Sequence, residues 1–209
     1  MAASFLPAAH WSFLTRYYEA LAYPFARRIW KRVLDETIRL ASPGATIVDL
    51  GCGPGTVLRK LGQRRADLAL QGIDIDPYII GLARERDRRA STVYSVTSIG
   101  KLPMPDASVD MAISTLMFHH LDAETQRAAF QEVQRVLKPG GMFLLCDFSV
   151  PQRKWLTPIA ALILRIEASA PLQLRGQLFT LTQERHATIK TLCSFYGCIS
   201  LHTITFSVR

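Results

Sequence analysis

Residues 48 to 55 read Val-Asp-Leu-Gly-Cys-Gly-Pro-Gly, three glycines at alternate positions just after a short apolar run. Glycines at that spacing let a backbone approach a ligand closely, and the start of a following helix would point free amides at it. Asp74 stands 19 residues after Gly55, at the end of the next β-rich run, where a carboxylate can accept hydrogen bonds from ribose hydroxyls. Together they predict a seat for a nucleoside-containing cofactor. A dinucleotide site prefers Gly-x-Gly-x-x-Gly, and here the third glycine comes one residue early, which weighs against a nicotinamide dinucleotide. His119 and His120 follow a fourth β-rich run, at the edge where such sheets bind ligands, and either imidazole there can take up a proton or contact substrate. The competing reading for both is a capping or packing histidine, and His186 and His202 read as ordinary surface or core residues. Cys193 and Cys198 match no metal-binding pattern, and no Cys-x-x-Cys occurs. All four cysteines are expected as reduced thiols, and no metal is expected.

The elements that must hold these residues alternate in character, as in a parallel α/β sheet with crossover helices. Strands are predicted at 46–50, 69–74, 92–97, 109–114 and 142–148. Helices follow the glycine turn to about Arg65, run from Pro77 to about Arg89 with Asp76 as cap, and run from Ala123 to Leu137, stopping at Lys-Pro-Gly-Gly 138–141. Residues 10–40 read as one or two amphipathic helices. After the fifth strand, residues 154–168 read as a mostly apolar helix whose Trp155, Leu156, Ile159, Leu162, Ile163 and Ile166 fall on one face. The last segment reads as a helix over about 182–195, a turn at Gly197 and a strand over about 199–207.

At 209 residues, 49% hydrophobic and 20% charged, the chain is predicted to be one ordinary globular domain rather than a disordered, collagenous or solenoid one. It has no apolar run long enough for an ordinary membrane span. Its first residues lack the charge-then-apolar order of a secretory signal, so a cytoplasmic protein is expected. The net charge of +8 is unevenly placed. Residues 43–150 carry 12 basic and 12 acidic groups, residues 1–42 carry 6 and 3, and residues 151–209 carry 7 and 2. The flanks therefore hold the whole excess, which favours an anionic surface or acceptor there.

The motifs in order resemble those of class I S-adenosylmethionine-dependent methyltransferases, in the branch that includes the ubiquinone and menaquinone biosynthesis enzymes. Asp49, Gly51, Gly53 and Gly55 match the family's acid-x-Gly-x-Gly-x-Gly. GIDIDP 72–77, LPMPDASVD 102–110, HHLD 119–122 and RVLKPGG 135–141 match its later motifs. The resemblance covers roughly residues 15–150. It implies a Rossmann-like doubly wound α/β fold with a mostly parallel seven-stranded sheet, an antiparallel last strand and helical lid segments. Residues 1–42 would be an N-terminal lid, 43–150 the cofactor-binding core, and 151–209 a lid helix with the elements completing the sheet. S-adenosylmethionine is the implied cofactor and S-adenosylhomocysteine its product. Asp49, Gly51 and Gly53 would line its methionine end, with Gly55 completing the loop. Asp74 would hold the ribose and Ile75 one adenine face, and Thr115 would close the fourth strand beside it. Where the family usually has an acid meeting the adenine amino group, this chain has Ser98, leaving its hydroxyl and the Ile99 amide for that contact. Tyr18, with Tyr17 as rival, resembles the tyrosine that closes over the cofactor.

The implied function is methyl transfer to a small, apolar or membrane-associated acceptor, of the quinone-precursor or lipid-amine class, and the basic flanks add an anionic membrane surface at the inner face as a further expected partner. Two alternatives stand beside it. A nucleic-acid methyltransferase could use the basic flanks, although the stretch STLMFHHL lacks an Asn-Pro-Pro-aromatic motif. A non-catalytic cofactor-binding protein is the other, and Ser98 is its main support.

Overall fold

The computed structural model describes residues 12–89, 91–150 and 176–207, with side chains from Ala26 onward. The elements in chain order are α1 (Ser12–Leu40), β1 (Thr46–Leu50), α2 (Thr56–Arg64), β2 (Ala69–Asp74), α3 (Pro77–Arg86), β3 (Thr92–Val96), β4 (Val109–Thr115), a 3-10 turn (Phe118–His120), α4 (Ala123–Val136), β5 (Leu137–Phe148), α5 (Gln177–Glu184), β6 (Ala187–Phe195) and β7 (Ile199–Phe206). The expected apolar helix over 154–168, with its Trp155 to Ile166 face, lies outside the described residues, as do the side chains of Tyr17 and Tyr18.

The seven strands form one sheet in the order β3-β2-β1-β4-β5-β7-β6. Neighbours among β1 to β5 pair in parallel, and β7 runs antiparallel to both β5 and β6. One strand is therefore reversed, as the resemblance implied. Parallel strands covered on both faces are apolar on both faces, and β1 is an instance: Ile47 joins the core on one side and Val48 and Leu50 the core on the other. The first core gathers Ile29 and Val33 of α1, Leu58 and Leu61 of α2 and Ile80 of α3. The second gathers Phe118, Phe130 and Phe143, whose ring centroids lie 5.6 to 5.8 Å apart, with Leu178 and Leu181 of α5.

Local signals set most boundaries. Pro77 opens α3 with the Asp76 carboxylate accepting the Tyr78 and Ile79 amides, and Asp122 caps α4 through the Thr125 amide. Lys-Pro-Gly-Gly ends α4 as expected, yet it lies within β5 as a bulge: Leu137 pairs with Val109 and Met142 with Met111, and the four residues loop out between them. The helix expected over 182–195 is not there. α5 ends at Glu184, His186 takes a left-handed turn, and Ala187–Phe195 forms strand β6. Thr188, Ile189 and Thr191 are β-branched residues that pack well on a pleated surface, and pairing with β7 outweighs the helical spacing of the apolar positions.

Candidate functional site

Because β1, β2, β4 and β5 are parallel, their carboxyl ends meet along one edge, and the sequence motifs fall there. The glycine loop is tied down by β2: the Ile73 carbonyl accepts the Gly51 and Cys52 amides at 2.8 and 2.9 Å, and the Asp74 carboxylate accepts the Gly53 amide at 3.0 Å. The Gly55 amide goes to the Cys52 carbonyl. The Gly51, Cys52, Gly53 and Gly55 amides are thus engaged within the protein, and the amides expected to face a ligand are those at the start of α2, at Thr56.

The three glycines divide by what lies beside them. A Cβ on Gly51 would overlap the Met117 side chain, and one on Gly55 would overlap the Tyr94 phenol, so these two serve packing. Gly53, at φ +52, has nothing within 4 Å where its Cβ would be. It alone of the three opens on empty space.

Two carboxyls belong to the strands beside this loop, Asp49 of β1 and Asp74 of β2. Asp49 is buried and its Oδ1 has no hydrogen-bond partner among the described residues. Burial, with the neighbouring Asp74 charge adding to it, pushes the Asp49 carboxyl well above the usual carboxylate range. A buried acceptor left unsatisfied costs about 1 to 3 kcal/mol, more if charged, and a bound cationic or hydroxyl donor would remove that cost. Asp74 is also raised, chiefly by burial, against the Asp76 and Gly53 amides it accepts. Its two oxygens each retain capacity for another donor. Thr115 Oγ1, at the end of β4, is likewise buried without a partner among the described residues. Ile75 is 41% exposed, an apolar side chain open to a flat ligand. Ser98 is exposed and its Oγ accepts the Gly100 amide at 3.3 Å, whereas the Ile99 side chain belongs to the second core. This arrangement suits a group with hydroxyl and ammonium donors and an aromatic base.

After Thr115 the chain turns at Leu116 in the left-handed region, φ 54, into the 3-10 turn. That turn brings His119 to the end of β5, where its Nδ1 lies 2.7 Å from Asp147 Oδ1. His119 and Asp147 are 4% and 2% exposed. The rings of His119 and His120 are 4.0 Å apart, and Phe148 packs edge-on to His119 at 4.8 Å. Cys198 is buried and Cys193 half-buried; all four cysteines are free, and burial pushes both of these thiols up.

Sequence reasoning missed Asp147 and Tyr94. An acid inside the apolar run Leu-Leu-Cys-Asp-Phe was the available signal for the first. Tyr94, which fills the space beside Gly55 and Gly72 and donates to Asp87 at 3.0 Å, had none.

Residues 48–145 match the family model for a methyltransferase domain. Demethylmenaquinone methyltransferase of Tropheryma whipplei is 32% identical over 136 residues, 65% of this chain and 54% of that protein. The ubiquinone/menaquinone biosynthesis C-methyltransferase of Rubrivivax gelatinosus is 37% identical over 133 residues, 63% of this chain and 49% of that protein. The chain spans about half the length of these curated relatives. Among solved structures, a SAM-dependent methyltransferase from Aquifex aeolicus superposes with a TM-score of 0.65 at 18% identity, covering 84% of this chain and 88% of that one. Geranyl diphosphate methyltransferase in complex with GPP and sinefungin superposes with a TM-score of 0.63 at 16% identity, covering 85% and 76%; both likenesses show the fold. Residues 48–145 are thus similar to a methyltransferase domain, and this part of the chain resembles the ubiquinone and menaquinone biosynthesis methyltransferases.

Proposed function

We propose that this protein transfers a methyl group from S-adenosylmethionine to a small acceptor, of an apolar or membrane-associated kind such as a quinone precursor or a lipid amine. The observation that carries the reading is the glycine loop at the strand ends, where Asp74 accepts the Gly53 amide, a Gly53 Cβ would meet no atom within 4 Å, and the buried Asp49 Oδ1 has no hydrogen-bond partner among the described residues. When bound, the cofactor supplies a methyl group on a sulfonium centre, open to in-line displacement. The residues here bind and orient it. Asp49 takes the ammonium end, Gly53 leaves room for the methionine chain, and Asp74 accepts from the ribose hydroxyls. Ile75 covers one adenine face, while the Ser98 hydroxyl and Ile99 amide meet its edge and Thr115 lines the pocket. Alignment and exclusion of water supply much of the acceleration in such a displacement. The names of the two quinone-pathway relatives support a quinone-type acceptor.

The basic flanks support a second element of this reading, attachment to an anionic membrane face. Arg27, Arg28, Lys31, Arg32 and Arg39 are exposed along α1, and no described helix is long and apolar enough to cross a membrane. Each basic side chain near such a surface contributes about 1 kcal/mol.

Calorimetric titration with S-adenosylmethionine and S-adenosylhomocysteine tests the cofactor assignment, and no binding of either overturns it. A turnover screen with methyl-labelled S-adenosylmethionine against quinone precursors, lipid extract, small amines and total RNA then tests the acceptor. Label in RNA alone would overturn the small-acceptor reading. Sedimentation with anionic but not zwitterionic vesicles, reversed by salt, is expected for the membrane face.

A further inference from the structure

Alternate residues of a strand share a face, and that rule gathers the polar ends of three strands on one side of the sheet. Asp49 of β1 stands opposite Gly72 of β2 and Ile113 of β4, and two residues further along those neighbours come Asp74 and Thr115. Asp49 is 2% exposed, and its Oδ1 and the Thr115 Oγ1 are buried without hydrogen-bond partners among the described residues. The donors nearby are spent elsewhere. The Cys52 thiol goes to the Gly53 carbonyl and the Tyr94 hydroxyl to Asp87. Arg84 donates to the Tyr94 carbonyl and Arg89 to the Asp87 carboxylate, while the loop amides go to Ile73, Asp74 and Cys52. Asp74 differs from Asp49, because it accepts the Gly53 and Asp76 amides at 3.0 and 3.1 Å. Of two carboxyls on neighbouring strands, one is thus supported by backbone donors and the other has no such support. A buried carboxylate without a partner costs far more than its neutral acid, so Asp49 is the member of the pair that keeps a proton.

We propose that Asp49 carries a proton in the ligand-free protein and gives it up when the ammonium end of S-adenosylmethionine or S-adenosylhomocysteine arrives, so that cofactor loading releases a proton and tightens as pH rises. The inference rests on the cofactor reading above and deepens it. In the exchange the O–H bond of Asp49 breaks, its electron pair stays on the carboxylate, and the proton leaves to water or buffer. The ligand's ammonium takes its place as the positive partner, and no bond of the ligand forms or breaks. Thr115 Oγ1, on the strand that flanks β1 on the side away from Asp74, is a second acceptor for the ammonium hydrogens. The direction of the Asp49 pKa agrees, held well above the usual carboxylate range by burial and then by the Asp74 charge. The titratable groups around it are Asp74 on β2, Cys52 in the loop and Tyr94 on β3. Burial pushes both the thiol and the phenol up, so neither is charged at neutral pH, and Asp74 is the competitor for the proton. A carboxyl whose pKa falls on binding makes affinity rise with pH between its two values and leaves it flat outside them.

Calorimetric titration of the full chain with S-adenosylhomocysteine, in phosphate and in Tris at matched pH between about 5 and 8, counts the protons released from the dependence of the heat on buffer ionisation. Release approaching about one proton is expected, with Kd falling by up to about tenfold per pH unit where release is complete. Methylthioadenosine, which keeps the base and ribose but has no ammonium, should bind without that release. Asp49→Asn, a neutral stand-in for the protonated acid, should release none and bind with an affinity indifferent to pH. Heat that does not depend on the buffer in the unaltered protein overturns the proposal. Equal release with methylthioadenosine, or release that persists in Asp49→Asn, assigns the proton to another group and overturns it too. Infrared difference spectra decide where the variant fails to fold or to bind. With the aspartate carboxyls isotopically labelled, the ligand-free protein should show a protonated-carboxyl band at about pH 7, where an ordinary aspartate is ionised, and S-adenosylhomocysteine should remove it. Absence of that band overturns the proposal. Failure of S-adenosylhomocysteine to bind at any pH strikes the cofactor reading instead, and the ligand-free band still decides whether the carboxyl holds its proton.

Discussion

Asp74 shapes the glycine loop by accepting the Gly53 amide, and in the proposed complex the same carboxylate holds the ribose. Asp74→Ala therefore removes charge-assisted hydrogen bonds worth about 1.5 to 3 kcal/mol, and S-adenosylhomocysteine affinity measured by calorimetry should fall about tenfold or more. Gly53 separates binding from folding. At φ +52 an L side chain costs about 1 to 2 kcal/mol, and the Cβ meets no protein atom within 4 Å. Gly53→Ala should lower the unfolding free energy by no more than that, while cofactor affinity falls further because the methyl group enters the open space; chemical denaturation and calorimetry on one preparation read the two apart. These positions were legible in the sequence because glycine and acid spacing repeats where a chain must turn tightly beside a ligand. The His119 partnership was not, since it depends on strands β4 and β5 lying side by side, and Asp147 is 28 residues away. Nor was the division among the glycines, which is set by Met117 and Tyr94 arriving from elsewhere.

Elements explain why two of the motifs travel together. Arg135 on α4 donates to the Leu102 and Met104 carbonyls at 3.1 and 2.8 Å and to the Asp106 carboxylate, and Glu132 accepts the Leu102 amide at 2.7 Å. The LPMPD segment has no regular structure of its own and is fastened to α4 by these two side chains. Gly141, in the bulge that follows α4, is confined by backbone: a Cβ there would lie 2.9 Å from the Lys138 carbonyl oxygen and 3.1 Å from that of Asp110. Backbone cannot move aside as a side-chain tip can, so Gly141→Ala should destabilise by about 1 to 3 kcal/mol and lower Tm by roughly 2 to 4 °C per kcal/mol, as a thermal melt would record. The strands of the core could be read in sequence because parallel strands buried on both faces are continuous apolar runs. β6 could not be read that way. It sits at the sheet's edge, with Lys190 and Ser194 exposed, and its mixed pattern fits a helix face until a partner strand is known.

For the whole molecule, acid stability is governed in part by a histidine outside the proposed chemistry. His202 is buried in β7, its Nδ1 lies 3.1 Å from Thr191 Oγ1, and burial lowers its pKa from 6.5 to about 4. Between those values the unfolded chain binds a proton that the folded one refuses, so stability rises with pH across the window and is lost as pH falls from about 6.5 toward 4. The difference is at most about 3 kcal/mol. Denaturation at about pH 5 and 7, one inside that window and one above it, should show this slope, and His202→Gln should flatten it; an unchanged slope would assign the acid sensitivity to other groups. The reversed strand also has a consequence for how the molecule is made. Among the described residues β6 pairs with β7 alone, and β7 lies between it and β5. A ribosome synthesises β6 first. The nascent chain therefore carries nine residues of strand with no edge to join until its successor has emerged and reversed against β5. The cofactor-loop half of the sheet can assemble while translation continues, whereas the outer half must wait and then form in one step, β7 docking and β6 following. The late-made edge, rather than the nucleotide end, is where chaperones would be expected to hold this chain.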